Sequence, residues 1–210
     1  MGDVDEAPAA DPAADTFAGR RLALLALLKQ LSYEERDVTL SSGQKSHFYI
    51  DCKQAVLTGQ GHVLVGACFT ELLARAERTS ARDPHTAVGG LTLGADPLAS
   101  ATSLWSTLHG RELHAVYVRK EAKGHGTGAY LEGTRKVPPG SRVAVVEDVV
   151  TTGNASKTAV ERLRGYGYVV DTVLTLVDRQ AGGREALMAL GLDVHALFDV
   201  SDFPSSQAPR

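Results

Sequence analysis

Several stretches of this sequence are apolar toward both sides of an extended chain, and they constrain the fold more than any other feature. "ELHAVYV" (112–118), "RVAVVEDVV" (142–150) and "YVVDTVLTLVDR" (168–179) are crowded with Val and Leu and lack the apolar/polar alternation of a half-exposed strand. Such a strand must be covered on both faces, which is the situation of a parallel sheet between two layers of helices. "TAVGG" (86–90) and "DVHALFDV" (193–200) extend the series. Helix patterns lie between the strands: "GHVLVGACFTELLARAER" (61–78), a segment starting near Pro97, where proline suits a first turn, "KTAVERLRGYG" (157–167) and "GREALMALG" (183–191). The expected class is therefore α/β, a central, mostly parallel sheet flanked by helices, with its sites at the carboxyl ends of the strands.

With 210 residues and 43% hydrophobic content, the chain can bury one substantial core but not two. We expect a single domain over 19–204, an acidic tail over 1–18 with too little apolar surface to order itself, and a short tail over 205–210. A formal charge of −3 gives no general attraction to nucleic acid, so neither DNA nor RNA is an expected partner. No apolar run approaches the length of a membrane span, and the start of the chain is acidic where a targeting peptide would be basic. The expected location is cytoplasmic. Cys52 and Cys68 form no C-x-x-C pair and are expected as reduced structural thiols. The remaining histidines have no spacing that implies a metal site.

Ahead of the sheet, "RRLALLALLKQLSY" places Leu22, Leu25, Leu28 and Leu31 at helical spacing, leaving Arg21, Lys29 and Gln30 to face water. "DVTLSSGQKSHFYIDCKQAVLT" alternates around Ser42 and Gly43 as a β-hairpin does. Helix and hairpin, about 20–60, make a small N-terminal hood.

The chemistry concentrates in "VAVVEDVVTTGNAS" (143–156). Val143 to Val146 read as a buried strand, followed by Glu147 and Asp148, then Val149 and Val150, then a turn of Thr151, Thr152, Gly153, Asn154, Ala155 and Ser156. Backbone N–H groups of such a turn and of the helix after it make an anion pocket of monophosphate size, to which the hydroxyls add donors. The two acids would repel a phosphate, so they belong to something beside it, either sugar hydroxyls or a magnesium ion or both. An acidic helix cap is the plainer alternative. Lys157 and Thr158 end the segment as a P-loop does, but the glycines of that motif are missing.

A second stretch, "YVRKEAKGHGTGAYLEG" (117–133), gathers Arg119, Lys120, Lys123 and His125 among glycines. Cations on such a segment suit a lid over a polyanionic leaving group, with His125 as a proton donor; a solvated charged loop is the alternative. The hairpin adds Lys45, Ser46, Phe48 and Tyr49, whose two aromatics suit stacking on a planar ring; a core hairpin with an exposed Lys is the plainer alternative. Asp178 and Arg179 stand at a strand's carboxyl end, either as a clamp for a carboxylate or imide or as a surface ion pair.

Taken together, these segments resemble the orotate branch of the type I phosphoribosyltransferases. "VAVVEDVVTTGNAS" resembles the phosphoribosyl-diphosphate signature of that superfamily and "RKEAKGHG" the catalytic loop of the orotate branch; "SSGQKSHFYID", "GGLTLGADPLA" and "DRQAGG" match in order and spacing, over roughly 20–200. The resemblance implies transfer of ribose 5-phosphate from 5-phospho-α-D-ribosyl 1-diphosphate to orotate, in pyrimidine synthesis, with Mg²⁺ carried mainly on substrate oxygens. By the same resemblance Glu147 and Asp148 hold the ribose hydroxyls, Thr151 to Ala155 cradle the 5-phosphate, and Val149 and Val150 belong to the same phosphoribosyl-diphosphate site. Arg119, Lys120, Lys123 and His125, in a loop over about 119–133 shared across a homodimer, serve the diphosphate. Thr151, Arg179, Tyr49, Ile50 and Lys45 go to orotate. This chain departs from some bacterial relatives at Ser41, where they carry Lys, and at Leu93 and Gly94, where they carry Tyr-Lys. A purine phosphoribosyltransferase would share the turn but not the cationic stretch. A non-catalytic sensor of the same ligand would lack those cations and carry a basic DNA-binding element.

Overall fold

The computed structural model describes residues 15–39, 45–79, 82–123 and 130–203. The first helix, α1 (Phe17–Leu31), is capped by Thr16, whose hydroxyl accepts from Gly19 N at 3.1 Å. It therefore starts inside the stretch expected to be tail. Leu24 and Leu28 are buried, whereas Leu22 and Leu31 are exposed. The expected stripe is out of phase because "LALLALL" is apolar on every face and no polar side marks the water. Arg21, expected in water, turns back instead: its Nε donates to Leu197 O at 2.9 Å and its guanidinium pairs with Asp202.

The hairpin is present, with β1 (Tyr33–Thr39) antiparallel to β2 (Lys45–Ile50). Its turn, with Ser41, lies outside the described residues. Tyr33, Phe48 and Phe203 form an aromatic cluster with centroids 5.3 to 5.5 Å apart, which fastens the hairpin to the end of the chain. A short α2 (Lys53–Val56) leads into α3 (Gly59–Arg78). Cys52 and Cys68 are free and buried.

The remaining elements are β3 (Ala87–Leu91), α4 (Ala95–Leu108), β4 (His114–Val118), β5 (Leu131–Glu132), β6 (Val143–Val150), α5 (Asn154–Tyr166), β7 (Thr172–Asp178), α6 (Gly183–Met188) and β8 (Asp193–Asp199). Among the described residues they form one sheet, in the order β5-β4-β3-β6-β7-β8, parallel except at the β4/β5 edge. The antiparallel edge strand, only two residues long, fell within the stretch expected to be a polar loop. The chain builds outward from β3 to β5, then crosses back to lay β6, β7 and β8 on the other side. Its switch point lies between β3 and β6, and there a crevice opens at the carboxyl ends.

Each face of the sheet has its own core. Val88, Ala144, Val146 and Leu174 join Leu24, Leu28, Phe69, Leu73 and Leu98 on the side of α1, α3 and α4. Val116, Val143, Val145 and Val173 join Val160, Leu163 and Leu187 on the side of α5 and α6. This is the two-sided burial expected of the apolar runs. No helix among the described residues is long and apolar enough to cross a membrane.

At the opposite end from the crevice, ion pairs bracket the strand starts. Arg142, just before β6, grips Asp171, just before β7, with Nε donating to both carboxylate oxygens at 3.0 and 3.1 Å. Arg82 also pairs with Asp171. Arg111, ahead of β4, pairs with Glu77 of α3 through both guanidinium nitrogens at 2.7 and 2.8 Å. Buried His85, ahead of β3, lies between the two acids, 2.9 Å from Glu77 and 3.5 Å from Asp171. Burial works against both charges, but hydrogen bonds from His85 and Arg111 hold Glu77 down at about 2, and those from Arg142 and Arg82 hold Asp171 well below the usual range. A depressed carboxylate contributes stability that is present above its unfolded value and lost as pH falls through its folded one. Asp171→Asn should therefore cost about 3 kcal/mol at neutral pH, by stranding Arg142, and should flatten the acid limb of a thermal-melt series. Equal melting of variant and wild type at neutral pH would rule out the bracket as a source of stability.

Candidate active site

Strand β6 runs through both acids to Val150, as the apolar run over 142–150 suggested, pairing with β7 up to Asp178. Because successive strand residues face opposite ways, Glu147 follows Val143 and Val145 toward α5, and Asp148 follows Ala144 and Val146 toward the hood. Beyond Val150 the chain turns through Thr151, Thr152 and Gly153 into α5. Gly153 has φ 78°, a left-handed conformation that costs other residues roughly 1–2 kcal/mol, and a Cβ there would meet Gly183 O at 3.0 Å. The turn walls a cavity of about 400 Å³ lined by Glu147, Val149, Val150 and residues 151–156. The N–H groups that open α5 have no carbonyl a turn earlier to bond, so this cavity offers aligned donors and the positive end of a helix dipole.

Glu147 is buried under that turn and accepts from the Ser156 hydroxyl at 2.9 Å. Ser156 was expected to donate to the anion; its hydroxyl goes to the carboxylate instead. Burial, and then the neighbouring Asp148 charge, push the Glu147 carboxyl far above the usual carboxylate range. Asp148 is partly exposed. Its Oδ1 accepts from Val149 N at 3.0 Å, its Oδ2 lies 3.8 Å from Lys53 Nζ, and its backbone O is 3.9 Å from Cys52 Sγ. Gly94, at the entry to α4 and after the cis Thr92–Leu93 peptide, lies directly against it: a Cβ on Gly94 would fall 2.5 Å from Asp148 Oδ1.

The cationic stretch leaves β4, separated from β6 by β3, and none of its described residues lines the turn cavity. Arg119 and Lys123 both pair with Glu132 of β5, at 3.2 and 3.7 Å. Arg162 of α5 donates to the carbonyls of Arg119 and Lys120 and stacks over Tyr130, with its guanidinium carbon 4.1 Å from the ring centroid. His125 lies outside the described residues, as does the side chain of Lys45.

At the end of β7, Arg179 donates to Phe48 O at 2.6 Å and lies 5.0 Å from the Phe48 ring, so it spans from the sheet to the hairpin. Of the aromatics expected at a planar ligand, Phe48 is thus the one beside Arg179. Tyr49 points to the hairpin's other face, under Arg36, and the Ile50 side chain is buried in the core. Asp178, buried, accepts from Gln180 N at 2.8 Å and shapes the turn after the strand. Lys53, Glu132 and Arg162 went unread as site residues in the sequence, since each acts through a partner from a different element. No local motif announces such pairs.

The chain has close counterparts among known proteins. An orotate phosphoribosyltransferase from Sorangium cellulosum is 48% identical over 192 residues, covering 91% of this chain and 97% of that one. The chain belongs to the orotate phosphoribosyltransferase family. Within that family, the Mycobacterium tuberculosis enzyme solved with Fe(III) dicitrate superposes with a TM-score of 0.72 at 40% identity, covering 87% of this chain and 98% of the other. The same enzyme with 5-phospho-α-D-ribosyl 1-diphosphate gives 0.68 at 38% identity, with 87% and 98% covered. No family model matches the sequence.

Two substitutions test the geometry around the carboxylate pair. A carboxyl whose folded pKa is raised contributes stability that is full below its unfolded value and falls as pH rises toward the folded one. Glu147→Gln should therefore melt close to wild type at about pH 4 and higher than wild type at about pH 8. Turnover should drop about a hundredfold. A variant that melts lower than wild type at the higher pH would show that ionised Glu147 stabilises the fold. Gly94→Ala places its methyl against the end of a flexible side chain, so melting should change little. Displacement of Asp148 should nevertheless lower kcat/KM about tenfold. Unchanged kinetics in Gly94→Ala would show that the Asp148 position is not critical.

Proposed function

We infer that the protein transfers ribose 5-phosphate from 5-phospho-α-D-ribosyl 1-diphosphate to N1 of orotate, giving orotidine 5′-monophosphate and diphosphate in pyrimidine synthesis. The β6–α5 turn carries this reading, since it sets a cavity of about 400 Å³, room for a phosphate and the sugar it is attached to, directly beyond two carboxylates in a chain of this family. Residues 151–155 take the 5-phosphate on backbone N–H groups, with Val149 and Val150 shaping the strand end. Glu147 and Asp148 take the ribose hydroxyls. Arg179 and Thr151 hold orotate beside the hairpin, where Tyr49, Ile50 and Lys45 belong to the same strand as Phe48. Arg119, Lys120, Lys123 and His125 attend the diphosphate.

The C1–O bond breaks with its electron pair going to the diphosphate, and orotate N1, having shed its proton, forms the new C–N bond. Positive charge grows on the ribose as the bond lengthens. Asp148 beside the hydroxyls favours that charge, and cations over the leaving oxygen favour its departure; both interactions are stronger in the transition state than before it. His125 is placed in the sequence to give the departing oxygen a proton.

Mg²⁺ is the cofactor of this proposal. Asp148, the partly exposed carboxylate, offers the hard oxygen donors it prefers, and one carboxylate rather than a cage fits a metal carried in mainly on substrate oxygens. When bound, it neutralises and orients the diphosphate. The proposal further places the protein in the cytoplasm as a homodimer whose 119–125 cations serve the partner's site, with no nucleic-acid partner.

An ultraviolet assay of orotate consumption with phosphoribosyl diphosphate and Mg²⁺, with adenine, hypoxanthine and uracil alongside, tests the substrate; faster use of a purine would overturn it. Lys123→Ala should lower kcat about a hundredfold while orotate binding changes little. Mixing it with an inactive Asp148→Asn variant should restore activity in hybrid dimers, and absence of complementation would place the loop and carboxylates of one site in a single subunit.

A further inference from the structure

The turn between β3 and α4 has no cation of its own: it reads Thr92, Leu93, Gly94. A cation reaches the same place from elsewhere. Lys53, the first residue of α2, sits where the hood meets the sheet, with its ammonium 2.6 Å from Asp51 Oδ1 and 3.8 Å from Asp148 Oδ2. It shares the wall of a cavity of about 370 Å³ with Leu93 and Asp96.

We propose that Lys53 is a binding residue for the diphosphate of the substrate, supplying from the hood the positive charge that the β3–α4 turn lacks. This rests on the assignment of Asp148 to the ribose.

Three features of the site favour a ligand contact over a simple surface ion pair. First, Asp51 acts as an orienting group: its Oδ2 accepts from Gln54 Nε2 at 3.1 Å and its Oδ1 from Lys53 N at 3.3 Å, so the carboxylate that holds Lys53 is itself held. Second, the distance to Asp148 is too long for a hydrogen bond and short enough for strong attraction, so the ammonium keeps donor capacity on the ribose side. Third, Asp148 is held by Val149 N, and Gly94 against it carries no side chain to cover it, so a sugar that engages it comes within reach of Lys53. Partial burial works against the lysine charge, yet the Asp51 hydrogen bond and the Asp148 charge outweigh it and hold the ammonium above the usual lysine range. Lys53 is therefore cationic wherever the enzyme works. Lysine meets phosphate as a point charge, which suits a group approached from one side only.

Titration calorimetry separates this role from a structural one. Magnesium phosphoribosyl diphosphate and ribose 5-phosphate are titrated into wild type, Lys53→Ala and Lys53→Arg. Lys53→Ala should weaken the diphosphate-bearing ligand about tenfold and leave ribose 5-phosphate within about twofold, the loss of one charged hydrogen bond. Lys53→Arg should recover most of the affinity. Equal weakening of both ligands would mean that Lys53 acts only through Asp148 and would overturn the proposal, as would unchanged affinity for the diphosphate. Wild-type protein that binds neither ligand would overturn the ribose-site reading together with this one. Should Lys53→Ala fail to fold, Lys53→Met keeps the packed stem and carries the same prediction.

Discussion

Neighbouring residues on a β-strand face opposite ways, and at the end of β6 this rule parts two carboxylates that are adjacent in sequence. Glu147 goes under the α5 turn to Ser156, and Asp148 goes toward Lys53 and Gly94. Much else in the site answers to that separation. The anion turn sits over the buried acid, so its donors are backbone groups and its hydroxyls are partly spent on Glu147. The exposed acid meets the hood, which must reach the sheet for the crevice to have a second wall.

The two ends of the sheet treat charge in opposite ways. At the strand starts, Glu77 and Asp171 are each gripped by arginines, and their carboxyls are depressed. At the strand ends, Glu147 has burial and a like charge for company, and its carboxyl is raised. Paired buried charges hold a fold together when the partners are present. A buried acid beside a second acid costs stability, and a site that is to meet a developing cation has a use for that cost. Stabilising brackets at one end and a buried acid with a raised carboxyl at the other fit a scaffold that is rigid away from its chemistry.

The hood belongs to the site as much as the sheet does. Arg179 bonds to Phe48 O, Arg21 to Leu197 O and Asp202, and Lys53 approaches Asp148. Each contact ties a residue before β3 to the carboxyl edge of a strand, or the reverse. Arg162, on the anion helix, likewise holds the base of the cationic stretch by its carbonyls and by Tyr130. Helix α5 thus walls the turn cavity with its first turn and steadies, through its third, the base of the cationic stretch.

The sequence by itself determined the class of fold, since Val-rich runs with no polar face have no stable place except between two layers. It also determined the turn between β6 and α5, whose glycine and hydroxyls are contiguous. Where a local pattern was silent or uniform, only the tertiary structure decided. Leu24 rather than Leu22 is buried because α1 is apolar all round and the partner, not the helix, chooses the face. β5 exists because β4 offers an edge, not because two residues prefer to be extended. Phe48 rather than Tyr49 meets Arg179 because the hairpin's orientation on the sheet sets which face of β2 looks inward. Lys53 comes to Asp148 through the folding of the hood onto the crevice, a contact between remote segments that no spacing in the chain records. Periodicity encodes which residues need burial; which remote partner supplies it, or supplies a charge, is settled only when the chain has closed on itself.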